Sequence, residues 1–277
     1  MIRLRSIIAI SLLLLLTQCN KVPITGRNQF NLLSNSEMLT MSFSQYNQVI
    51  SESQLSNDRA KVNMVKNCGT RISQAVEQYL SDEGLSDAVE GFEWEFNLIQ
   101  SEQLNAWCMP GGKVAFYTGI LDVCQDEAGV AVVMGHEVAH AIARHGNERM
   151  SQSLAAQMGG LALSAALQTE PEQTQQLALA AYGVGSQVGA LLPFSRLHES
   201  EADEMGLYFM AMAGYNPEEA PEFWQRMSAM SGGAQPPEFL STHPSHDTRV
   251  DNLNEWMPKA KTYYNPDHRG QGGSIKF

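Results

Sequence analysis

The sequence predicts a mostly helical α+β fold with a small antiparallel sheet placed ahead of a central helix. Three observations predict it. Phe92, Trp94, Phe96 and Leu98 alternate with Glu93, Glu95 and Asn97, the period-two pattern of a half-buried strand. Pro110-Gly111-Gly112 separates two short apolar runs and reads as a hairpin turn. Long segments on both sides repeat apolar residues at three- and four-residue steps, as core-facing helices do. The 277 residues are 43% hydrophobic and 17% charged, enough to bury a sizeable core. That composition excludes a disordered or collagen-like chain. With 18 Lys+Arg against 30 Asp+Glu, the net charge of −12 excludes a nucleic-acid partner, because nothing could neutralise a run of phosphates. Four cysteines are too few for a disulfide scaffold.

Each element can be justified in order. Arg3 and Arg5 precede an apolar run, Ile7 to Leu16, that is too short to span a bilayer and reads as a secretory signal over residues 1–18. It ends at Leu16-Thr17-Gln18-Cys19, which resembles a lipobox, with Cys19 as the lipidated N-terminus after cleavage. Gln18 departs from that pattern, which prefers a small residue. Loss of two arginines would take the charge to −14. Lipid, not charge, would then hold the chain at the membrane. Asn20, where an Asp would favour the inner membrane, points to the outer one. Residues 19–35 are polar and read as a lipidated tether. A helix follows from Ser36, a suitable N-cap, to Ser53. A second spans Asp58 to Leu80, its stripe formed by Val62, Val65, Ile72, Val76 and Tyr79. After the sheet, Asp126 to His145 forms a helix apolar nearly all round, hence buried. Residues 150–192 read as two helical stretches with a hinge near Thr169-Glu170-Pro171. Ser195 is expected to cap a helix to Ala213, closed by Gly214. Asn216-Pro217 starts another. Gly232 to Pro237 is a loop, and a final helix runs through Trp256. The domain is expected over residues 36–260, with a flexible tail from 261 to 277. Cys68, Cys108 and Cys124 read as small buried hydrophobes, a Cys108–Cys124 bridge remaining open.

The chemistry sits on the buried helix. His136-Glu137-Val138-Ala139-His140 has the form H-E-x-x-H, and side chains four apart share one helix face. Two imidazoles and a carboxylate on an otherwise apolar helix would be costly to bury unpaired. One zinc ion resolves that conflict by taking both ring nitrogens. Glu137, about 100° round the helix, then stands where a general base is required. A catalytic zinc wants a third protein ligand and an open position. His145, His198, Glu199, Glu201, Asp203 and His243 are the candidates. Glu199 and Asp203 share a face and Glu201 points away. Glu199 as ligand, with Asp203 accepting from a histidine N–H, would complete a His₂Glu site.

These stretches, together with Val22-Pro23-Ile24-Thr25-Gly26-Arg27, Asn105-Ala106, Pro110-Gly111-Gly112 and Thr242-His243-Pro244, resemble metallopeptidase family forty-eight in its short lipoprotein branch. The resemblance implies a zincin-like (gluzincin) fold with the H-E-x-x-H on its active-site helix. It implies His136, His140 and Glu199 as ligands of one zinc ion, Glu137 as base and Asp203 in support. Asn105 and Ala106 would pair with extended substrate on an edge strand. His243, and with it Arg249, would lie near the cleft at the substrate and stabilise the oxyanion, with His246 as a competitor for the role of His243. The expected function is a zinc endopeptidase of the bacterial envelope, lipid-anchored on the periplasmic side and acting on unfolded or misassembled proteins. The alternative is a periplasmic chaperone or assembly factor for outer-membrane proteins that grips extended chains and cuts little.

Overall fold

A computed structural model describes residues 19–230, 238–243 and 248–268. The signal segment, the Gly232–Pro237 loop, His246 and the end of the tail lie outside the described residues. Strands β1 (Cys19–Lys21) and β2 (Asn28–Phe30) open the chain, followed by helices α1 (Asn35–Glu52) and α2 (Arg59–Asp82). The sheet comprises β3 (Glu95–Ile99), β4 (Ala106–Met109) and β5 (Lys113–Tyr117). Then come α3 (Ile120–Cys124), α4 (Glu127–Ile142), α5 (His145–Ala166) and α6 (Glu172–Ser186). A π turn, Gln187–Leu191, leads into α7 (Leu192–Met212). The chain ends with α8 (Glu219–Ala229), α9 (Glu238–Thr242) and α10 (Arg249–Tyr263).

The core forms around α4, where every residue from Gly129 to Ile142 is buried. That agrees with its sequence, which offers no polar face. Helices α2, α7 and α8 and strand β4 pack around it. The Asp126 side chain accepts from the N–H groups of Ala128 and Gly129 at 2.8 and 3.1 Å, fixing where the helix starts.

Four expectations change. The sheet is mixed, not antiparallel, with order β3-β5-β4. β4 and β5 form the expected hairpin, but β3 pairs with β5 in parallel. Glu95 to Ile99 form that strand, while Phe92 and Trp94 precede it and pack against the core. Glu93 N–H is drawn instead to the turn carbonyl of Gly111. β5 therefore takes the centre, and β4 is an edge.

Residues 20–35 are folded, not a loose tether. β1 and β2 pair antiparallel, and Val22, Gln29 and Asn31 are buried. The cap of α1 is Ser34, which forms a capping box with Glu37. Finally, Ser195 caps nothing, because one helix runs unbroken from Glu172 to Met212. The π turn lies just before Pro193, which has no N–H to offer the ladder, and the wider turn absorbs that missing rung. This helix is long and apolar enough to cross a membrane, yet its apolar window is unburied. Its second half, from His198 onward, is largely buried against α4. Cys68, Cys108 and Cys124 are free thiols.

Candidate metal centre

Helices α4 and α7 cross at two glycines. A Cβ built on Gly206 would lie 2.7 Å from the backbone nitrogen of His136, and one built on Gly135 would lie 2.7 Å from the carbonyl oxygen of Gly206. Backbone therefore meets backbone, and Glu199 and Asp203 of α7 come within reach of the α4 imidazoles.

Four donors converge. His136 Nε2 lies 3.1 Å from His140 Nε2, 3.2 Å from His243 Nδ1 and 3.4 Å from Glu199 Oε2. Glu199 Oε1 is 3.5 Å from His140 Nε2, and Glu199 Oε2 is 3.1 Å from His243 Nδ1. All four residues are buried. Bonds of about 2.0–2.1 Å to a tetrahedral ion set donors about 3.3–3.4 Å apart. The observed spacings bracket that value, so the cluster fits a tetrahedral divalent ion.

Charge agrees with geometry. Three carboxyl groups, Glu137, Glu199 and Asp203, are buried here, and Arg249 is the one guanidinium beside them among the described residues. Burial should drive such groups neutral unless a cation balances them. Burial also disfavours a charged His136, yet its hydrogen bonds to Asp203 and Glu199 outweigh that and hold its pKa up at about 9. The pocket thus recruits positive charge. Burial would raise Glu199, but the surrounding histidines hold it well below the usual carboxylate range. Burial pushes His140 down, against the pull of Glu199. Glu137 is raised by burial, and its Oε1 accepts no hydrogen bond among the described residues.

The supporting residues lie one layer out. Asp203 Oδ1 sits 2.9 Å from His136 Nδ1. Arg249 is 2% exposed and does not line the cleft. Its Nε donates to Asp203 at 2.5 Å, its Nη2 donates to Glu199 at 3.0 Å, and its guanidinium stacks 3.7 Å over Trp224. His243, expected at the oxyanion, places Nδ1 among the donors and Nε2 3.4 Å from Glu137 Oε1. Phe239 stacks on its ring at 4.7 Å. Asn105 and Ala106 line a cleft of about 290 Å³ with Glu137, His140, Thr242 and His243. Glu201 points away from the donors, as expected.

This arrangement is that of a metallopeptidase, and the family comparison decides it. The model for peptidase family M48 matches residues 66–257. The chain belongs to peptidase family M48. This M48 chain is 33% identical over 246 residues to the mitochondrial metalloendopeptidase OMA1 of Schizosaccharomyces pombe, covering 88% of this chain and 68% of that protein. The Saccharomyces cerevisiae protein of the same name is 30% identical, with coverages of 90% and 72%. A beta-barrel assembly-enhancing protease of Yersinia pestis is 28% identical over 174 residues, which is 61% of this chain and 36% of that one. The M48 chain is accordingly a metallopeptidase, a hydrolase of peptide bonds.

Sequence reasoning passed over Glu148, weighed His145 only as a ligand and gave Arg27 no part at the site; all three join a polar network behind His140. A signal was present. The segment from Arg144 to Arg149 follows α4 and that from His198 to Asp203 lies within α7, and each sets a histidine close to a glutamate.

Proposed function

We propose that the protein is a zinc-dependent endopeptidase that cuts extended protein chains in the bacterial envelope. The observation that carries the reading is the convergence of His136, His140 and Glu199 at tetrahedral spacing, with the buried Glu137 carboxylate beside them, its Oε1 accepting no hydrogen bond among the described residues. His136, His140 and Glu199 would hold the ion, which when bound lowers the pKa of water toward about 7 and polarises a carbonyl.

The chain's own residues do the rest. Glu137, raised by burial, takes the proton from the attacking water and delivers it to the leaving amine. Asp203 keeps the His136 proton on Nδ1, leaving Nε2 to face the ion. Arg249 holds both Asp203 and Glu199 in place. His243 fills the position that a catalytic site leaves open and must swing off it for substrate to enter. Substrate lies along Asn105 and Ala106, at the outer edge of β4, which no other strand covers among the described residues. The segment before Cys19 reads as a lipoprotein signal, which puts the enzyme on a lipid anchor at the periplasmic face of the outer membrane. The name of the Yersinia pestis relative supports unfolded or misassembled outer-membrane proteins as substrates.

The test is Glu137→Gln, assayed on an unfolded model protein with and without chelator and with metal quantified on the same sample. Retained metal with lost hydrolysis is expected. Wild-type turnover in that variant ends the assignment. The fourth donor, His243, favours one second reading, a chain-gripping assembly factor that seldom cuts. Equal rescue of an envelope-defective strain by wild type and Glu137→Gln would establish it.

A further inference from the structure

We propose that the N-terminal segment Thr25–Gly26–Arg27 is a working part of the metal centre: it clamps Glu201, Glu201 orients His145, and His145 fixes the ring of His140. The inference rests on His140 being a metal ligand, as proposed above.

The chain of contacts is continuous. His145 Nδ1 lies 2.8 Å from His140 Nδ1, on the side of that ring facing away from the donor cluster. His145 Nε2 lies 3.0 Å from Glu201 Oε2. Glu201 accepts from Arg27 Nε at 3.0 Å, from Arg27 Nη2 at 2.8 Å and from the Thr25 hydroxyl. With His140 Nε2 given to a metal, one arrangement of protons makes every contact a hydrogen bond. A His140 that gives Nε2 to a metal carries its proton on Nδ1 and donates it to His145 Nδ1. His145 then carries its own proton on Nε2 and donates to the Glu201 carboxylate. Each acceptor fixes the tautomer of the ring before it, as second-layer partners of metal-bound histidines do.

The far side is equally constrained. Arg27 also grips Glu148, through Nη1 at 3.0 Å and Nη2 at 2.8 Å. Glu148 lies 2.9 Å from His198 Nε2, and the His198 ring stacks on His145 at 4.3 Å. His145, Glu148, His198 and Glu201 are all buried. One planar guanidinium thus bridges two buried carboxylates, a fork that a lysine ammonium cannot reproduce.

The backbone supports this reading. Ile24 has φ +71°, a conformation that β-branched residues avoid. Strain of this kind persists where the surroundings over-determine it. Gly26 at φ +68° completes the turn, closed by Val22 N–H to Arg27 O at 2.8 Å. The turn aims Thr25 and Arg27 at the same carboxylate. The two ligand histidines are therefore braced alike: His136 by Asp203 under Arg249, and His140 through one more ring by Glu201 under Arg27.

The test measures zinc affinity of the full chain by competition with a chromophoric chelator. His145→Phe keeps a ring to stack on His198 but removes the acceptor. Zinc binding should weaken about 10- to 100-fold, while the urea midpoint of the metal-free protein stays near wild type. Arg27→Lys should weaken zinc binding by a smaller factor, and should add nothing when combined with His145→Phe, since both act through one path. Should Arg27→Lys fold poorly, Thr25→Val removes one Glu201 donor and replaces it in the cycle. Wild-type zinc affinity in His145→Phe overturns the relay alone, as does full additivity of the pair. A wild-type chain that takes up no zinc overturns the metal reading and the relay together.

Discussion

Replacing Gly206 by alanine tests whether the helix crossing sets the metal geometry. The new methyl carbon would sit 2.7 Å from the His136 backbone nitrogen and 2.9 Å from the carbonyl carbon of Gly135. Both are backbone atoms of a buried helix and cannot rotate away. Ordinary contact begins at 3.4 Å, so α4 and α7 must part by about 0.7 Å. Glu199 lies two turns away on the same rigid helix, about 10 Å along its axis. It should move by a similar amount, well beyond the tolerance of about 0.2 Å that metal–ligand distances allow. Overpacking costs about 1–3 kcal/mol, while alanine regains about 1 kcal/mol of helix propensity. The metal-free Gly206→Ala variant should thus lose at most about 2 kcal/mol in urea unfolding. Its zinc affinity should drop at least tenfold, beyond the effect on folding. A variant that is as stable as wild type and binds zinc as tightly would show that the close crossing does not place Glu199.

Other outcomes follow from the same geometry. His243→Ala empties the fourth donor position and should raise basal cleavage of an unfolded protein several-fold while weakening zinc binding; a fall in turnover with zinc retained would return His243 to an oxyanion role. Glu148 has its pKa held at about 2, because burial, which would raise it, is outweighed by its hydrogen bonds with His198 and Arg27. A folded pKa below the ordinary 4.5 stabilises at higher pH, so this contribution is lost as pH falls from about 4.5 to about 2. Urea unfolding of the metal-free chain should show a loss of stability across that window that is smaller in Glu148→Gln than in wild type. An equal loss in wild type and variant would assign the acid sensitivity elsewhere.

How much of this was legible depended on distance along the chain. H-E-x-x-H and the Glu199–Asp203 pair are local spacings on a helix, and a 3.6-residue period puts them on shared faces without further knowledge. The glycine hairpin was legible for the same reason. Sheet order was not, because whether β3 meets β4 or β5 is settled by partners that local pattern does not name. Ser195 read as a cap because serine favours that role, but a π turn carried the helix through Pro193. Residues 20–35 read as a tether because Thr25, Arg27 and Gln29 are polar. Their polarity serves buried carboxylates more than a hundred positions away. The place of His243 beside the α4 imidazoles depended on how α9 folds back, which spacing cannot give.

The single helix from Glu172 to Met212 spans two environments. Its outer turns, from Leu177 through Val184 and Val188, face outward with no buried residue among them, while its inner turns are locked beneath α4 and α10. Backbone amides on one uninterrupted element should therefore open to solvent at very different rates, with the break near the π turn. The outer half can fray and re-form while Glu199 and Asp203 stay seated. The centre and the exposed arm should therefore open as separate cooperative units, although no loop divides them.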